Sequence, residues 1–211
     1  TSGFLPASYR GTIFKPGEET IANIKSLEKF PETQRSKFDL MRKLDQGTLQ
    51  RLGPIDALES TIANYEVAAR MQTAVPELSD IRDESQATRK LYALDDEDEH
   101  TRTYGLECLL ARRMVERGVR FVEILGPKVH GINRWDAHKD LVKNHGTNAH
   151  IVDQPIAALL RDLKSRGLLE STIVVWAGEF GRTPFAEGSG VGRDHSPFGF
   201  TTWVAGGGFR G

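Results

Sequence analysis

Apolar residues recur at helical spacing through 33–52, where Phe38, Met41, Leu44, Leu49 and Leu52 make one stripe. Gly53-Pro54 interrupts the pattern. Leu58, Ile62, Tyr65 and Ala69 resume it in a second helix, which Pro76 is expected to end. Together they predict an antiparallel helical hairpin set on a larger body. A short helix is expected over 84–94. Another follows over 101–117, with Leu106, Leu109, Leu110 and Met114 on one side and Gly118 just past its end. The pattern then changes to strand-like runs at 119–125, 172–177 and 200–205. Between the first two, Asp153-Gln154-Pro155 reads as a helix start, and Ile156, Leu159, Leu160 and Leu163 carry that helix to Gly167. Residues 1–30 are broken by Gly3, Pro6, Gly11, Pro16 and Gly17 and read as an irregular arm.

The order helix, strand, helix, strand, loop, strand predicts an α/β fold. The run 172–177 is apolar on both faces, as in a mostly parallel sheet covered by helices. Residues 1–100 read as the arm and the hairpin insertion, and 101–211 as the α/β core, both parts of one incomplete domain. In open α/β sheets ligands sit beyond the carboxyl ends of the strands. That edge would gather the loops 126–147 and 178–198.

Composition narrows the function classes by exclusion. A net charge of −1 gives no electrostatic case for nucleic acid or an anionic membrane surface. No apolar run reaches the roughly 18 residues of a membrane span. One cysteine, Cys108, excludes an intrachain disulfide framework, and its apolar neighbours place it in the core. The acidic run Asp95-Asp96-Glu97-Asp98-Glu99 precedes a helix, where negative charge is favourable without any metal.

Three clusters could carry chemistry. Trp135-Asp136-Ala137-His138 puts a carboxylate and an imidazole two residues apart, donors suited to a shared divalent cation. Gly178-Glu179-Phe180-Gly181-Arg182 follows a strand. Glu179 there is a candidate ligand or base, and Arg182 offers a planar fork for phosphate, sulfate or carboxylate. A pair between Glu179 and Arg182 is the plainer alternative. In Gly192-Arg193-Asp194-His195, His195 is a ligand or a general acid–base, Asp194 orients it, and Arg193 is a second anion contact. His145 is a candidate further ligand or substrate contact, while His130 and His150 read as solvated. Gly206-Gly207-Gly208 lacks the Lys-Ser/Thr of a P-loop, and there is no G-x-S-x-G elbow.

Five stretches resemble the DUF1501 family of the alkaline phosphatase and sulfatase-like superfamily. They are LPASYRGTIF near the start, LLARRMVERGVRFVEI at 109–124, RWDAHKD at 134–140, VDQPIAALLRDLKSRGLLESTIVVWAGEFGRTP at 152–184 and GRDHSPFGFTTWVAGGGFRG at 192–211. The resemblance implies a partial alkaline-phosphatase-like sheet and hydrolysis of phosphate or sulfate esters. It implies a divalent cation (Zn²⁺, Mn²⁺, Ca²⁺ or Mg²⁺) held by Asp136, His138 and His195, with Glu179 at a further metal position. Phe180 departs from the His that the superfamily places after that acid, which bears on a second metal. The resemblance also implies a longer parent whose preceding half carries the nucleophile and another metal-binding acid. The chain alone is then expected to be inactive. An export signal of the twin-arginine type would make that parent extracytoplasmic. The expected partner is a small-molecule or glycan anionic ester. A non-catalytic module for sulfated or acidic glycans and an inert structural domain are the alternatives. Exposed edges of an incomplete sheet favour self-association.

Overall fold

The computed structural model describes residues 11–15, 20–21, 28–53, 55–126, 129, 135–186 and 190–209. Side chains at 56, 57 and 73 lie outside that description, as do most of the arm, His130 and Arg210. The chain divides into two compact units, Thr1–Ile81 and Arg82–Gly211.

The first unit contains helices α1 (Pro31–Leu52) and α2 (Asp56–Ser79). Pro31 opens α1 with a residue whose missing N–H has no partner to lose. Gly53 closes it in a positive-φ conformation (77°), its N–H donating to Leu49 O. An Arg42–Glu66 ion pair of 3.4 Å links the two helices. Pro76 does not end α2. It lies within the last turn, and the Asp80 N–H closes onto its carbonyl. The expected stripe is only half realised: Leu44 and Leu52 are exposed, and no residue of α1 is buried.

The second unit is organised on α4 (Glu99–Glu116) and α5 (Leu141–Ser165), with the short α3 (Gln86–Leu91) against α5. The acidic run leads into α4 as a cap: Asp98 accepts from the His100 N–H and Asp96 from the Asp98 N–H. Along α4, Tyr104, Cys108, Leu109, Ala111 and Met114 are buried. Along α5 the matching stripe is Asn144, Asn148, Ile151, Val152, Pro155, Ala158, Leu159, Asp162 and Leu163. Gly105 lets α4 approach the end of α3 closely, since a Cβ there would lie 1.9 Å from Tyr92 O. Gly118 (φ 81°) and Gly167 (φ 70°) end α4 and α5 as left-handed residues.

The core of this unit also contains a charged centre. Arg112 is 3% exposed and contacts Glu84 at 2.7 Å, Glu116 at 2.6 Å and Asp162 at 3.0 Å. The Tyr92 hydroxyl donates to Asp162 at 3.0 Å, and Arg166 closes the cluster on Asp162 and Glu116. Burial acts to lower the Arg112 guanidinium, but its bonds to Glu116 and Glu84 overcome this and hold it above its ordinary value.

The strands are few. Helix makes up 53% of the described residues and strand 7%, so the sheet is not the body of the fold. Strand β1 (Ile173–Trp176) pairs antiparallel with β4 (Trp203–Gly206), Ile173 opposite Gly206 and Trp176 opposite Trp203. Strand β2 (Gly181–Arg182) pairs antiparallel with β3 (His195–Ser196). The expected mostly parallel sheet is therefore corrected: no parallel pair occurs among the described residues. Residues 119–125 form no ladder, because no described strand lies beside them. Phe121 is 83% exposed, and the Val119 N–H is spent on closing α4 at Met114 O. The expected helix start at 153 is also corrected. Helix α5 begins twelve residues earlier, after a left-handed Asp140, and carries Pro155 inside it. Gly206-Gly207-Gly208 makes a packed corner rather than a cradle: a Cβ on Gly206 would lie 2.3 Å from Thr172 O.

Two stability predictions follow from the core. Arg112→Met removes the cation that Glu84 and Asp162 share and leaves them only Arg113 and Arg166, so urea unfolding should record a loss of about 3 kcal/mol, the lower end for breaking a buried pair. A loss below about 1 kcal/mol would show that water reaches these carboxylates. Cys108 is fully buried, and burial pushes its thiol well up, with Glu107 adding to the shift. A thiol-exchange reagent should leave it unmodified in the native chain and titrate one thiol after unfolding.

Candidate metal site

Asp136 and His138 stand in the segment entering α5, and His195 stands on β3. Three sets of backbone bonds bring them together. The Leu141 N–H donates to Val191 O at 3.0 Å, and the Arg193 N–H to Ala137 O at 2.9 Å. The Thr183 N–H donates to Asp194 O at 2.9 Å, and the Thr183 hydroxyl accepts from the Asp194 N–H at 3.0 Å. Two glycines make the contacts close enough. A Cβ on Gly192 would lie 1.9 Å from His138 O, and one on Gly181 would lie 1.4 Å from Gly199 O. Gly181 thus serves backbone packing, not approach of a ligand.

The side chains meet on a small triangle. His195 Nε2 is 3.0 Å from Asp136 Oδ1, His138 Nε2 is 3.1 Å from the same oxygen, and the two Nε2 atoms are 3.1 Å apart. Among the described residues this is the group whose spacing suits a metal ion. Three donors on one ion with bonds of about 2.0–2.2 Å stand about 3 Å from one another, so the triangle has the right size. Two imidazole nitrogens and one carboxylate oxygen are also the donor set of zinc and of other first-row divalent ions. Access is open: the Asp136 and His195 side chains are 52% and 45% exposed.

Arg182 completes the group. Its Nη2 lies 2.6 Å from Asp136 Oδ1, so the guanidinium pairs with Asp136 and not with Glu179. Its other terminal nitrogen, Nη1, is buried without a hydrogen-bond partner among the described residues. The hydrogen bond from His195 holds the Asp136 carboxyl below the usual carboxylate range. Burial opposes this, and Arg182 and His138 add to it.

Asp194, expected to orient His195, bonds it at the backbone. Its Oδ1 accepts from the His195 backbone N–H at 2.8 Å and stands 4.0 Å from His138 Nδ1. It therefore faces the His138 ring, on the side away from the triangle. Phe180 packs against His195 with ring centroids 4.3 Å apart, and the Arg182 guanidinium lies 5.5 Å above the Phe180 ring. Glu179 is exposed beyond β1 and is not one of the three clustered donors. His145, on α5, is not one either; its ring lies 5.5 Å from that of Trp135. Arg193 donates from Nη1 to Gly192 O within its own loop. His150 is exposed on α5. Sequence reasoning missed Thr183, whose hydroxyl fixes Asp194. A Thr one residue after a candidate arginine was the available signal. It also missed Trp135 as a packing anchor, although that residue immediately precedes a proposed ligand.

Two outcomes test this geometry. Gly192→Ala adds no functional group but forces residues 191–194 off the His138 carbonyl, so calorimetric affinity for Zn²⁺ or Mn²⁺ should fall more than about tenfold. An unchanged affinity would mean that this backbone contact does not position the site. The Asp136 pairings should also set an acid limit. Their stabilisation is present above the unfolded carboxylate value of about 3.9 and is lost as pH falls through the lowered native value. Amide protection at 137–139, followed by NMR in the metal-free chain, should therefore persist at pH 4 and collapse below it.

The profile of a family described as "Protein of unknown function (DUF1501)" matches residues 1–211. No curated protein and no solved structure matches the chain.

Proposed function

The chain belongs to the DUF1501 family, and from that premise we propose that it is a metal-dependent, hydrolase-like domain acting on an anionic ester, phosphate or sulfate. One observation carries the reading: Asp136, His138 and His195 present three donor atoms within 4.8 Å of one another, with a guanidinium on the same carboxylate. The likeness of the sequence to the alkaline phosphatase and sulfatase-like superfamily supports the same chemistry. Zn²⁺, Mn²⁺, Ca²⁺ and Mg²⁺ are the candidate ions, and the two imidazoles favour the first two.

Asp136, His138 and His195 would hold a divalent cation, whose chemistry there would be to polarise an ester oxygen or lower the pKa of a water. The residues of the chain supply the rest. Asp136 arrives ionised, because its partners hold it below the carboxylate range. Arg182, held beside the triangle by its pair with Asp136, is the guanidinium that meets the anionic group. Asp194 places a carboxylate 4.0 Å from His138 Nδ1, on the side of the ring away from the triangle. Glu179, exposed beside the site, acts as a base or further ligand once substrate covers it. Arg193 and His145 are outer contacts for the substrate.

Phe180 against His195 favours a second reading, a non-catalytic module that binds acidic glycans through an incomplete metal site. Chelator-sensitive turnover of 4-nitrophenyl phosphate or 4-nitrophenyl sulfate would eliminate it.

The decisive experiment titrates Zn²⁺ and Mn²⁺ into the chain and then inorganic phosphate and sulfate into the loaded form. His138→Ala and His195→Ala should each weaken cation binding more than about tenfold, and Arg182→Ala should weaken anion binding by a similar factor. Absence of cation binding at millimolar metal would remove the proposal.

A further inference from the structure

The three tryptophans of the chain cluster around β1: Trp203 pairs with Trp176, and Trp135 packs on Trp176. Trp176 and Trp203 stand directly opposite each other on β1 and β4. Directly opposed residues of an antiparallel pair project from the same face of the sheet. Both indoles are open to solvent, at 50% and 41% exposure. Trp135 supports this pair, its ring 5.8 Å from that of Trp176 in an edge-on arrangement and 5.5 Å from that of His145. Trp135 is bonded directly to Asp136. From Trp176 the chain runs through Phe180, which packs on His195, to Arg182, which pairs with Asp136. The aromatic face and the donor triangle are thus joined along two short stretches of backbone.

Two wide, flat, solvent-facing indoles have a specific use. Indole is apolar on its faces and has a hydrogen-bond donor at its edge. A pyranose ring is complementary to it: one ring face presents C–H groups, and the rim presents hydroxyls. An ester group on such a ring could then extend from the indoles toward Arg182 and the triangle, where charge complementarity selects an anion. Resting on the metal-and-anion reading above, we infer that the anionic ester this site takes is carried on a sugar ring, and that Trp176 and Trp203 are the platform for that ring.

The test compares sugar esters with the bare anions. Galactose 6-sulfate and glucose 6-phosphate are titrated against inorganic sulfate and phosphate into the Mn²⁺-loaded full chain, by calorimetry and tryptophan fluorescence. Each sugar ester should bind about tenfold more tightly than its inorganic anion and quench indole emission. Trp176→Leu and Trp203→Leu should bring that ratio near one, while Trp176→Phe, which keeps a flat ring, should retain most of it. Thermal melts identify any variant that has unfolded, and Trp176→Phe then carries the comparison. Equal affinities for sugar ester and inorganic anion would overturn the sugar platform and leave the metal site standing. Binding of neither would overturn both. A chain that dimerises through this face and ignores the sugars would show that the indoles serve a second copy.

Discussion

Arg112 is the residue on which the larger unit of the structure depends. It is a cation at the centre of a helical core, touching carboxylates from three places: Glu84 before α3, Glu116 on its own helix and Asp162 on α5. A charge so deeply buried is tolerable only when its partners surround it. Here they do, and Tyr92, Arg113 and Arg166 share the same carboxylates. The consequence is specificity of alignment. Leucines on α4 and α5 can slide past one another at modest cost, whereas a guanidinium bonded to Glu84, Glu116 and Asp162 cannot. Helix α5 is thereby fixed against α4, and its first turn, at Leu141, is where the ligand segment attaches.

From that fixed helix the donor triangle is reached mainly through backbone contacts. Asp140 takes a left-handed turn, Leu141 bonds to Val191, and Gly192 seats its bare α-carbon on the His138 carbonyl. Thr183 locks the other side of the same loop through Asp194. Each imidazole is thus held by its own backbone before any cation arrives. His195 is held by the short β2–β3 pair and His138 by residues 191–193.

Much of this was legible in the sequence, and the misreadings have physical causes. The three clusters were identified because unlike donors lay two residues apart or adjacent, and Asp136, His138, His195 and Arg182 do meet. The route by which they meet was misread. The runs 119–125 and 172–177 are apolar enough for strands of a covered parallel sheet, but strand composition states a willingness to pair and not the presence of a partner. Only 173–176 finds one, in an antiparallel neighbour. Pro155 was read as a helix start because Asp-Gln-Pro suits a first turn; a proline also fits inside a long helix whose packing outweighs one missing bond. Arg112 was overlooked since charge is usually read as surface. Its spacing held the signal: 105, 108, 109 and 112 share one face of α4, and three of these are small or apolar.

The order of assembly bears on what a cation would gain. Asp136 and His195 are 59 residues apart, and bringing such distant groups together carries a closure entropy that grows with the logarithm of the span. In small zinc domains the metal itself offsets that cost, and folding and binding are one event. In this chain the burial of α4 against α5, the ion cluster at Arg112 and the glycine contacts at 181 and 192 have already met it. The intrinsic affinity of the three donors then goes into holding the ion rather than into ordering the loops. The opposing term is the close contact of the two imidazole nitrogens and the guanidinium on Asp136, both of which a cation would have to displace. On the proposed reading, a cation and Arg182 compete for the same Asp136 oxygen, so a cation that displaced the guanidinium would leave it open to an anion.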